Sequence, residues 1–133
     1  MKYLDRQMLH LDMFYTDILI IYGDEDHTRK TLQKYFDEEE VNEMLKGFNF
    51  KTKGRTMPTK FGSPLIWIPK IPETAQDVGF LVHELFHSTC AVMGNVGIDF
   101  SNESEEAFAY MIGFMTEKVL EELPTFSCPS PQQ

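Results

Sequence analysis

The apolar positions of this chain fall into blocks separated by Gly, Pro and acidic residues, and the blocks predict its elements. Positions 13–22 are rich in aromatic and β-branched residues and stop at Gly23, which predicts a strand whose 18–22 portion is central. Two helices are expected next. One covers about 27–36; the other opens at Asp37, a cap with Glu40 at the third helical position, and closes at Gly47. Together they should cover one face of a sheet.

Residues 48–60 alternate loosely around a turn at Gly54, and the run Leu65, Ile66, Trp67, Ile68 reads as a short strand fenced by Pro64, Pro69 and Pro72. Prolines at both ends predict an edge strand. Thr74 can cap the following helix with Asp77 three residues on, and this helix runs to Gly94. A last helix spans about 103–123 and ends before Pro124, leaving 125–133 as a flexible tail. The expected fold class is α+β: a short, mostly antiparallel or mixed sheet packed on two long helices, forming one domain over 1–124.

Composition supports a packed interior, because 42% of the 133 residues are hydrophobic and 11 of them are Phe. Twelve basic residues stand against 21 acidic ones, for a formal net charge of -9, so nucleic acid and anionic membrane surfaces are not expected partners. No apolar run approaches the roughly 20 residues that a bilayer span requires, and the charged first eleven residues do not resemble a secretory signal. Two cysteines, Cys90 and Cys128, are too few for a disulfide scaffold. A reducing, cytoplasmic setting is expected.

The chemistry is concentrated in His83-Glu84-Leu85-Phe86-His87. Residues four apart on a helix lie roughly 40° apart around its axis, so both imidazoles can grip one ion. Glu84 is rotated by roughly 100° from His83, which keeps it off the ion but over the open coordination position, as a general base beside a Lewis acid. Val78, Val82, Leu85, Thr89 and Val92 form an apolar stripe, extended by Leu81 and Phe86, which predicts a helix buried around most of its circumference. A tetrahedral catalytic site needs a third protein ligand, and the next helix offers Glu103, Glu105 and Glu106. A third histidine soon after Gly94 is lacking, since His10 and His27 lie upstream.

From His83 to about Phe114 the chain resembles the gluzincins, HExxH metallopeptidases whose third ligand is a Glu on a following helix. It is most similar to their small, single-domain forms often encoded in phages and prophages. The segment Glu106-Ala107-Phe108-Ala109-Tyr110, 19 positions after His87, sits where that helix sits in the family. The resemblance implies Zn2+ as cofactor, held by His83, His87 and Glu106, with Glu84 as catalytic base and a peptide or protein as substrate. Tyr110 departs from the larger members, which carry an acidic residue there.

Capping also favours Glu106. Asn102 as cap and Glu105 as its box partner would leave Glu106 on a face with Ala109, Tyr110 and Gly113, small enough for close approach to the metal helix. Tyr110, His10 and Arg55 are each candidates to stabilise an oxyanion, and Cys128 to fold back onto the metal. The expected activity is zinc-dependent peptide-bond hydrolysis. The alternatives are a non-catalytic zinc-containing binding or accessory module, and a metal-dependent hydrolase of a non-peptide amide.

Overall fold

The computed structural model describes residues 4–59 and 62–126. Its four strands are β1 (Arg6–Leu11), β2 (Thr16–Tyr22), β3 (Arg55–Met57) and β4 (Leu65–Ile68). Four helices accompany them: α1 (Glu25–Leu32), α2 (Glu38–Leu45), α3 (Ala75–Asn95) and α4 (Glu105–Glu122). The sheet is mixed, in the order β1-β2-β4-β3, with β2 and β4 parallel and both outer pairs antiparallel.

Strand alternation divides the interior into two layers. Ile18, Ile20, Tyr22, Ile66 and Ile68 point to one face and meet Leu81, Leu85 and Val92 of α3 with Met115 and Val119 of α4. Leu19, Ile21, Leu65 and Met57 point to the other and meet Leu32 of α1 with Val41 and Leu45 of α2. The class is therefore α+β, with the sheet between two pairs of helices, and α1 and α2 cover one face as expected.

Local capping was legible at two helices. Asp37 and Glu40 form a reciprocal capping box at α2, and Thr74 and Asp77 form another at α3. At α4 the expectation fails: the cap position is Ser104, not Asn102, and it makes no side-chain cap bond. The Ser104 hydroxyl instead donates to the Asp99 carbonyl at 2.5 Å and accepts from the Ser101 amide at 2.9 Å, closing the loop before the helix. Glu105 and Glu106 are thus the first and second helical residues.

Two strand expectations are also corrected. β4 is interior, not an edge, because Leu65 to Ile68 are buried on both faces and a wholly apolar run belongs between two neighbours. Pro64 and Pro69 lie just outside its ladder, where they end the strand without costing it hydrogen bonds. The edge beside β4 is β3, three residues long and carrying Arg55, as protected edges often are. The strand expected over 13–22 begins only at Thr16: residues 12–14 form a 3-10 turn, and Tyr15 at φ 51 reverses the chain into the antiparallel β1–β2 pair.

Candidate metal centre and its cleft

α3 brings the HExxH residues to the border of the sheet. Its buried residues are Leu81, Glu84, Leu85, Ser88, Thr89, Val92 and Met93. The helix is therefore buried along one side only, which corrects the wider burial expected: His83 and His87 are exposed, and Phe86 is 38% exposed. The two histidines face a cleft of about 700 Å³, bordered by Gly54, Thr56 and Pro58 on one wall and by His83, Glu84 and His87 on the other.

Within that cleft the Nε2 atoms of His83 and His87 lie 3.2 Å apart, with the rings at 73° to each other. Two nitrogens held about 2.0 to 2.1 Å from a tetrahedral ion are separated by about 3.3 Å, so the pair has the spacing of two ligands of one zinc. The same distance suits one N–H···N hydrogen bond between the two rings.

Glu84 differs sharply from its neighbours in the motif. It is 7% exposed, and its Oε2 lies 3.9 Å from His83 Nε2. The other carboxylate oxygen, Oε1, accepts a hydrogen bond from the Thr56 hydroxyl at 2.9 Å, and the same hydroxyl is 3.0 Å from the Glu84 backbone carbonyl. Register explains why Thr56 is there: it stands opposite Ile66, on the α3 side of the sheet, while Arg55 and Met57 stand opposite Trp67 and Leu65 on the other. Gly54 completes the enclosure, since a Cβ there would come within 3.0 Å of both Glu84 Cγ and Ile68 Cδ1.

The third expected ligand is not brought to the histidine pair. Glu106 is exposed in the first turn of α4, and no α4 residue lines the cleft. Among the described residues, no three His, Cys, Asp or Glu side chains are gathered as a metal set. The face expected to press on α3 does not do so: Tyr110 is 73% exposed and a Cβ at Gly113 would meet nothing within 4 Å. Phe108, Met115 and Val119 are buried instead. At about 100° per residue, Glu106 lies roughly 160° from that buried face and Glu105 roughly 60°. An aromatic row does link α4 to the HExxH turn, through Phe86 to Phe100 at 6.4 Å and Phe100 to Phe108 at 5.1 Å.

The other candidates separate cleanly. His10 and Tyr110 line an apolar groove beside Phe14 and Phe114, which shares no lining residue with the histidine cleft. Arg55 borders the cleft, but its guanidinium stacks over the Phe48 ring at 5.2 Å, on the α1–α2 side. Cys90 is a half-buried free thiol, and Cys128 lies outside the described residues. Thr56 is the site residue that sequence reasoning missed, and nothing near it in the chain signals its contact with Glu84.

Fold and cleft together define a small α+β domain with a paired-imidazole, buried-carboxylate centre next to a sheet edge. Comparison with family models, with curated proteins and with solved structures finds no match.

Proposed function

We propose that this protein is a zinc-dependent hydrolase of peptide bonds, acting in the cytoplasm on a peptide or protein substrate. The observation that supports the reading most is the juxtaposition of two exposed imidazoles 3.2 Å apart with a buried carboxylate held beside them. A structural zinc site needs the imidazoles but has no use for the carboxylate, which is why the hydrolytic reading is preferred to a non-catalytic module.

His83 and His87 would hold the ion, with Glu106 as the proposed third ligand and Glu105, or Glu103 in the turn before α4, as the alternatives. Zinc, when bound, supplies Lewis acidity to the scissile carbonyl and to water. Glu84 takes one proton from the attacking water as the water oxygen bonds to the carbonyl carbon. It then returns that proton to the amide nitrogen as the C–N bond breaks. A substrate chain in extended form has a place to pair along the outer side of β3, the strand that borders the cleft.

The reading is tested by metal analysis of the purified protein, joined to a proteome-wide cleavage screen of wild type against Glu84→Gln. Cleavage sites that appear only with zinc-loaded wild type are the expected result. Identical cleavage patterns from both proteins would contradict it.

A further inference from the structure

Glu84 sits on a helix whose neighbouring histidines are exposed, yet its carboxylate is buried and oriented from outside that helix. The orienting group is the Thr56 hydroxyl, 2.9 Å from Oε1 and 3.0 Å from the Glu84 carbonyl oxygen. A hydroxyl carries a single proton, so it donates to one of these acceptors at a time, and the anionic carboxylate is the stronger. Oε1 is thereby tied to β3, and Oε2 is left on the side of His83, 3.9 Å from its Nε2.

We propose that Thr56 is a positioning residue for the general base: it fixes the Glu84 carboxylate through Oε1, so that Oε2 is the atom that takes and returns the proton. This rests on the hydrolytic reading of the cleft and adds to it a residue and an atom. Three features support it. The strand register puts the only side chain of β3 that faces α3 opposite Ile66, at the level of Glu84. A one-residue slip would replace the short hydroxyl with the long guanidinium side chain of Arg55 or with Met57, which has no donor. Gly54, with no side chain, lets the backbone before β3 approach Glu84 Cγ so closely that the carboxylate has little room to turn.

Because β3 is the sheet edge that borders the cleft, the base and a pairing substrate would share one strand as their reference. Precise placement of a base is worth more in the chemical step than in binding, so removing the hydroxyl should be felt in kcat.

The test is Thr56→Val and Thr56→Ser in the zinc-loaded protein, read by kinetics, zinc content and crystal structure. Thr56→Val should lower kcat by about tenfold to a hundredfold, the worth of one hydrogen bond to a charged group, with KM and zinc content unchanged. Thr56→Ser should recover most of the loss, and crystals of Thr56→Val should show the Glu84 carboxylate turned from its wild-type position. Unchanged kcat in Thr56→Val, or a Ser variant no better than Val, would overturn the proposal. If wild type hydrolyses no peptide, the hydrolytic reading fails while the crystal structures still decide this one: a displaced carboxylate supports it and an unmoved carboxylate overturns it.

Discussion

His83 and His87 bring their Nε2 atoms to 3.2 Å of each other across one helical turn, facing a cleft in which both side chains are exposed. A pair so spaced is expected to bind one zinc per chain with a third ligand from α4. Elemental analysis should find about one equivalent, and His83→Ala or His87→Ala should abolish it. Gln substitutions at Glu103, Glu105 and Glu106, one at a time, should weaken zinc affinity at a single position, expected at Glu106. A loss at Glu105 alone would transfer the role to the residue that lies nearer the packed face of the helix.

The stability of the sheet against α4 depends on a buried polar chain. Tyr22 donates its hydroxyl to Gln7 Oε1, and Gln7 Nε2 donates to the Val119 carbonyl at 3.1 Å. Burial, and secondarily the Glu122 carboxylate, push the Tyr22 phenol well above its usual range, so it stays a donor at any ordinary pH. Tyr22→Phe should therefore cost about 1 to 3 kcal/mol, because it leaves the buried Gln7 oxygen without its donor. Urea denaturation measures this. Zinc content should not change, as the pair lies away from the cleft.

How much could be read from the sequence follows how local each feature is. The HExxH pair and the capping boxes of α2 and α3 involve residues three or four apart and were legible, whereas the equally local box expected at Asn102 and Glu105 did not form, because the Ser101–Ser104 turn starts α4 two residues later. β1 was not, because its first inward position is the polar Gln7 while the apolar Met8 stands on the other face, which hides the alternation; the partners of Gln7, Tyr22 and Val119, are distant in sequence. The place of β4 was misread from its prolines, although the unbroken apolar run Leu65 to Ile68 carried the better signal. Thr56 had no local signal at all, since its contact with Glu84 spans 28 positions and depends on strand register.

The start of α3 should be sensitive to acid. The amide of Glu73 donates to the Asp77 carboxylate, as does the amide of Thr74, and Lys70 lies 3.7 Å away. These contacts, the Glu73 amide foremost, hold Asp77 below the ordinary carboxylate range against the opposing effect of desolvation. A depressed folded-state value means that the unfolded chain binds more protons. The contribution of Asp77 is thus complete above the unfolded value of about 3.9 and is lost as pH falls through the lower folded value. Helix stability followed by circular dichroism should decline more steeply in that window for wild type than for Asp77→Asn.

The most direct test of the hydrolytic account is the turnover of zinc-loaded Glu84→Gln on a peptide that wild type cleaves. The amide keeps the shape of the carboxylate and can still accept from Thr56, so fold, zinc content and KM should hold. A positioned general base contributes about 10²- to 10⁴-fold, and kcat should fall by at least a hundredfold. A variant that cleaves as fast as wild type, or one whose only defect is lost zinc or lost stability, would contradict the account.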